Sequence, residues 1–185
     1  MSMRVSVGEQ LDSQALYERQ KMLRASETVV PGPTAIAVGL QVPENMGSVL
    51  RLADAAGSQK VIFIHDHEDN ATTLKRIQRT ARNCDVLVEW EVWTPEQFRE
   101  QSDSLQPVIA VELTTESKSI FANALPERCA LMIGSERYGI PALLLAKCRQ
   151  AVHIPMYGVN GSMNVTHALA IALFEWRRQH SEHND

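Results

Sequence analysis

Short apolar runs alternate with helical segments along almost the whole chain, and this alternation limits the fold more than any other feature. TAIAVGL (34–40), KVIFIH (60–65), VLVEWEVW (86–93), PVIAVEL (107–113), CALMIG (129–134) and AVHIP (151–155) each read as a strand. KVIFIH holds four apolar residues in succession, as expected of a strand buried on both faces. Helices are expected over 12–27, with Asp12 or Ser13 as N-cap, over 46–56, ended by Gly57, and over 71–82. Further helices are expected after Thr94, with Pro95 at the first helical position, from Pro141 to about 148, and over 165–179. Strands and helices in this order specify an α/β fold, an open and mostly parallel sheet flanked by helices on both faces. The expected organisation is an N-terminal helical extension (1–33), one domain (34–180) and a polar tail (181–185).

A net charge of −4 argues against a surface that grips nucleic acid everywhere, since phosphates need local Lys and Arg. It leaves room for a local stripe. Lys75, Arg76, Arg79 and Arg82 fall on the helix expected over 71–82, where 75, 79 and 82 share a face. They are the candidate phosphate contacts, and a merely solvated helix face is at least an equal alternative. Cys84, Cys129 and Cys148 form no CxxC pair, so neither a zinc ribbon nor a disulfide framework is expected. That pattern fits a reducing, cytoplasmic setting. His65-Asp66-His67-Glu68 reads as a polar loop leaving a strand, and no metal is expected. No apolar run approaches the roughly 20 residues that span a bilayer, and the N-terminus lacks a long apolar signal core.

The chemistry is expected at three strand ends. The chain has neither GxGxxG after its first strand nor GxxxxGK[ST], so the usual dinucleotide and P-loop signatures are absent. Glycines gather late instead, at Gly134, Gly139, Gly158 and Gly161, which places a backbone-bound ligand near the last two strands. Three junctions carry polar and glycine residues: NMGSVLRLADAAG (45–57), LMIGSERYGIP (131–141) and VHIPMYGVNGSMNVTHALAI (152–171). The first is expected to set Arg51 in the second turn of its helix, at the ligand-binding end of the sheet. Ser135 is no nucleophile candidate, because GSE lacks the GxSxG elbow.

These junctions resemble the three motifs of the SpoU (TrmH) family in the SPOUT superfamily. They read Asn45-x-Gly47-xxx-Arg51-x-Ala53-xxx-Gly57, then Gly134-Ser135-Glu136-xx-Gly139-Ile140, then Ile154-Pro155-Met156 followed by Ser162-Met163-Asn164-Val165-Thr166-x-Ala168. The resemblance covers roughly 34–178, with Met163 where leucine is commoner and Thr166 where serine is commoner. It implies a C-terminal trefoil knot and an enzyme that methylates RNA ribose 2′-hydroxyls with S-adenosyl-L-methionine. Carried over by motif, Leu113, Gly134, Ile154, Met156 and Met163 line the cofactor pocket. Arg51 is the catalytic arginine, acting either as a phosphate clamp that stabilises alkoxide charge or as a general base. Asn45 and Ser162 orient the ribose or the arginine. Glu136 fixes an arginine or a backbone turn, and Asn164 holds the knot loop.

The family forms homodimers with active sites at the interface. The helix expected over 165–179 is apolar nearly all round, which points the same way. About 33 residues precede the first strand, too few for a separate RNA-binding domain, so tRNA is favoured over rRNA as the substrate. The alternatives are a non-catalytic RNA-binding protein that keeps the pocket and an enzyme acting on a small nucleotide.

Overall fold

A computed structural model describes residues 8–10, 12–25, 29–66, 71–105 and 107–181. The chain divides into two compact units, 1–30 and 31–185. In the first, α1 runs Ser13–Ala25. Asp12 caps it, its carboxylate accepting the Ala15 N–H at 3.1 Å. Residues 26 and 27, the expected end of this helix, lie outside the described residues, as does the tail beyond Ser181.

The second unit is built on a seven-stranded sheet. Its strands are β1 (Thr34–Val38), β2 (Lys60–Ile64), β3 (Glu89–Trp93), β4 (Val108–Val111), β5 (Lys118–Ser119), β6 (Ala130–Ile133) and β7 (Gln150–His153). The spatial order is β3-β2-β1-β6-β4-β7-β5, and every pairing is parallel. Two late strands are laid between earlier ones, β6 between β1 and β4 and β7 between β4 and β5. The helices are α2 (Pro43–Ala55), α3 (Ala71–Ala81), α4 (Cys84–Leu87), α5 (Pro95–Gln101), α6 (Ala142–Leu145) and α7 (Val165–His180).

Alternate strand residues point to opposite faces, and both faces are covered. On one face Ile36, Ile62, Val108 and Met132 pack with Phe98 of α5 and Leu144 of α6. Ala35, Val61, Phe63, Ile109 and Leu131 are equally buried and alternate with that set. α2 runs against β1 and β2, and α7 against β4 and β6. Within α7, Leu169, Ala172, Leu173 and Trp176 are fully buried, while Phe174 is half exposed. The Trp176 indole N–H donates to the Pro126 carbonyl at 2.9 Å. A single chain therefore buries one broad side of this helix.

Three expectations are corrected and one strand is added. α2 starts at Pro43, where proline needs no intrahelical N–H bond. Asn45 and Gly47 thus lie inside the helix, and Arg51 falls in its third turn. The first half of the strand expected over 86–93 coils into α4 instead. β2 begins at Lys60, which pairs with Glu89, so residues before Glu89 have no ladder partner. α3 ends at Ala81, because Arg82 and Asn83 take left-handed φ values of 49° and 70°. β5 was not expected, because two residues carry no periodicity.

Gly47 lets α2 and α3 approach closely. A Cβ there would stand 2.6 Å from the Ile77 carbonyl oxygen and 2.7 Å from the Thr80 Cβ. Alanine would gain about 1 kcal/mol of helix propensity, but overpacking against a backbone atom costs about 1–3 kcal/mol. Gly47→Ala is expected to lower the urea midpoint. A raised midpoint would show that the two helices separate freely.

Candidate active site

Parallel pairing sends the C-terminal ends of β1, β6, β4 and β7 to one edge of the sheet, side by side. The loops that follow them, 39–42, 134–141, 112–117 and 154–164, are therefore neighbours. This is where open α/β sheets bind ligands.

The loop after β6 closes on itself. Ser135 and Gly139 exchange backbone hydrogen bonds at 3.1 and 3.2 Å, and the Ser135 hydroxyl accepts the Tyr138 N–H at 3.0 Å. Gly139 holds a φ of 64°, and a Cβ on Gly134 would run into the Gly139–Ile140 peptide. Both positions need glycine. Glu136 then reaches across to α2. Its Oε1 accepts the Asn45 side-chain amide at 2.5 Å, and its Oε2 accepts the Gln41 backbone N–H at 3.2 Å. These two bonds tie the turn after β6 to the start of α2.

The third motif is less converged. The Asn160 side-chain oxygen accepts the Ser162 N–H at 3.2 Å and its hydroxyl at 3.4 Å, forming a local turn on the surface. Asn164 is the N-cap of α7, its Oδ1 accepting the Thr166 N–H at 2.8 Å and the Thr166 hydroxyl at 2.7 Å. It organises the exit of this loop by fixing where the helix begins. Thr166, the departure from the commoner serine, supplies the same hydroxyl.

Arg51 stands apart from these groups within one chain. It lies six positions after Asn45, so the two are about 120° apart around α2 and about 9 Å apart along its axis. Arg51 is exposed beside Cys84 of α4. Burial first, then Asp54, pushes the Cys84 thiol up, and the Arg51 charge opposes them. Among the described residues, no hydrogen bond or ion pair joins Arg51 to Glu136, Ser162 or Asn164.

The expected cofactor residues do gather at the edge. Leu113 is 68% and Met156 40% exposed, and Ile154 and Met163 are half-buried. Uncovered apolar side chains beside glycine-closed turns fit an adenosyl group, whose base needs apolar faces and whose edges need main-chain N–H and C=O. Sequence reasoning missed Glu112 and Ser117. The Ser117 hydroxyl lies 3.0 Å from His153 Nδ1 and donates to the Thr114 carbonyl at 2.9 Å, tying the loop after β4 to β7. Glu112 had one signal, a carboxylate ending an otherwise apolar strand run.

The basic stripe is partly engaged. Arg76 grips Glu44 of α2 through two bonds of 2.9 and 2.8 Å, and Arg79 approaches the same carboxylate at 3.6 Å. The Arg76 hydrogen bond holds Glu44 below the usual carboxylate range. Arg82 lies past the helix end, so the face expected for 75, 79 and 82 is broken; Lys75 and Arg82 are exposed. The three cysteines are unbridged, and burial pushes Cys129 up to about 12 and Cys148 to about 11. Among the described residues, no three His, Cys, Asp or Glu come together as a metal site, and none of the helices is long and apolar enough to cross a membrane. His67 and Glu68 lie outside the described residues.

An α/β fold with this edge of motif loops defines a class, and sequence comparison gives its family. Residues 33–174 match the SpoU rRNA Methylase family, and the chain belongs to it. The chain is 32% identical over 155 residues to the 23S rRNA (guanosine-2'-O-)-methyltransferase RlmB of Salmonella typhi, covering 76% of this chain. The Escherichia coli K12 protein of that name is 31% identical over 157 residues, 77% of this chain. The chain spans 58% of the length of these curated relatives. An AdoMet-bound rRNA methyltransferase from Sinorhizobium meliloti superposes with a TM-score of 0.73 at 25% identity, over 86% of this chain and 61% of the other. The A. aeolicus TrmH/SpoU tRNA modifying enzyme shares the fold, with a TM-score of 0.71 at 23% identity over 89% of this chain and 84% of the other.

The Asn45–Glu136 pair is open to a double-mutant cycle. Asn45→Ala and Glu136→Ala are expected to be non-additive by about 0.5–1 kcal/mol in urea unfolding, as for groups in one hydrogen-bond network. Strict additivity would mean that the bond contributes nothing in solution.

Proposed function

We propose that the chain methylates a ribose 2′-hydroxyl of RNA. The observation that carries this reading is Glu136, whose carboxylate binds the first-motif helix to the second-motif turn beside uncovered apolar residues at the ligand edge. S-adenosyl-L-methionine supplies, when bound, an electrophilic methyl group on a sulfonium. Leu113, Gly134, Ile154, Met156 and Met163 hold its adenosyl part, through apolar contact and main-chain polar groups. Asn45, aligned by Glu136, and Ser162 orient the ribose. Arg51 clamps the phosphate beside the target and stabilises alkoxide charge as the hydroxyl proton leaves. A guanidinium with a pKa above about 12 is a poor base, which favours the clamp.

The placement of Arg51 supports a homodimer in which each protomer's arginine serves the partner's pocket, because within one chain it faces α4. The half-exposed Phe174 of α7 is a candidate interface residue. The insertion of β6 and β7 between earlier strands is the order a threaded, knotted C-terminal segment produces. The exposed Lys75 of α3 and Arg82 just past its end are the cations left for RNA phosphates, while Arg76 and Arg79 are drawn to Glu44. tRNA and rRNA are the two substrate classes. Relatives in sequence are named for 23S rRNA, and one fold neighbour for 2-OH methylation of C/U34 on tRNA. Three unbridged cysteines suit a reducing cytoplasm.

Mass-spectrometric mapping of 2′-O-methylation in RNA from cells with and without the protein is expected to show one site lost, which also identifies the RNA. An unchanged map would overturn the reading. Arg51→Ala is expected to lower turnover by about 10²–10³, with cofactor affinity unchanged by calorimetry. Mixing Arg51→Ala chains with pocket-blocked Leu113→Glu chains is expected to restore activity that neither has alone. No restoration would place Arg51 at its own chain's pocket.

A further inference from the structure

One residue that no motif contains bonds to two of the pocket's segments and to the strand that leads into the third. Glu112 follows β4 directly. Its backbone N–H donates to the Val152 carbonyl of β7 at 2.9 Å, two residues before Ile154. Its Oε1 accepts the Leu113 N–H at 3.0 Å, and its Oε2 accepts the Ile140 N–H at 3.1 Å. One residue thus bonds the loop after β4, the turn after β6 and the strand leading to the third motif. Gly139 makes room for it, since a Cβ there would lie 2.5 Å from Oε2.

We propose that Glu112 is a positioning residue that pre-forms the cofactor pocket by pinning its three segments together. The inference rests on the adenosyl pocket proposed above. β4 ends at Val111 and β6 at Ile133, so the N–H groups of Leu113 and Ile140 lie beyond the ladder and need another acceptor. A carboxylate offers two oxygens to two such donors and bonds each more strongly than a neutral acceptor would. The opposite arrangement would be a gate, in which Glu112 occupies donors that the cofactor needs and swings away on binding. The geometry favours the pin, because the residue's own N–H is fixed on β7 and its two oxygens hold different segments.

Glu112→Gln keeps the shape but turns an amide NH₂ toward one of the donors, and Glu112→Ala removes both acceptors. Calorimetry with S-adenosyl-L-methionine on the purified full chain separates the cases. The pin predicts affinity roughly tenfold weaker for Glu112→Gln, and weaker still for Glu112→Ala, as expected for lost charge-assisted bonds. KM for the cofactor rises with it, while kcat at saturating cofactor stays near native. Glu116→Gln, an exposed neighbour, keeps native affinity. Unchanged or tighter binding by a Glu112→Gln protein with a native melting midpoint would overturn the pin, and tighter binding would establish the gate. If Glu112→Ala fails to fold, Glu112→Gln alone decides. A wild-type chain that binds no cofactor would overturn the proposed function itself, whereas native binding by both variants would overturn only the pin.

Discussion

The candidate site exists because β6 pairs with β1 on one side and β4 on the other. That placement sets the turn at 134–141 between the first-motif helix and the loop after β4. Glu136 can then reach Asn45 and Gln41 in one direction, and Ile140 can meet Glu112 in the other. Neither contact is possible between segments that are 28 to 95 residues apart in sequence unless the parallel ladder first aligns their strand ends. Close packing on both faces holds that ladder in register, since a slip by one residue would exchange the side chains that each layer of helices packs against.

Around this edge the chain uses charge locally. Glu136 and Glu112 spend their oxygens on main-chain and amide donors that lie beyond the strands. Glu44, one residue before Asn45, faces the other way and takes Arg76 and Arg79 from α3. The first turns of α2 are thus anchored both to the site and to the basic helix. The close approach at Gly47 completes the same contact through packing.

Much of this was legible in the sequence. β1, β2, β4 and β6 lie within the expected runs and β7 starts one residue before its own, because uninterrupted VIFI- and ALMI-type segments suit a sheet covered on both sides. Thr94 and Pro95 marked the start of α5, where the structure has a full capping box with Gln97. The failures were of another kind. Residues 86–88 look like strand, but β2 offers nothing to pair with them. Arg82 looks like helix, but the chain turns left-handed there. Glu112 looked like the end of a strand, and its role came from partners far away in the chain.

Sequence alone determined the family, the alternating fold and the residue types at each junction, because periodicity, caps and motif spacing are local properties. Tertiary structure decided which junctions meet. It joined Asn45 to Glu136, gave Asn164 a capping role, left Arg51 beside α4 and set Glu112 across three segments. Those outcomes depend on strand order and on distances between residues remote in sequence, which no local pattern encodes.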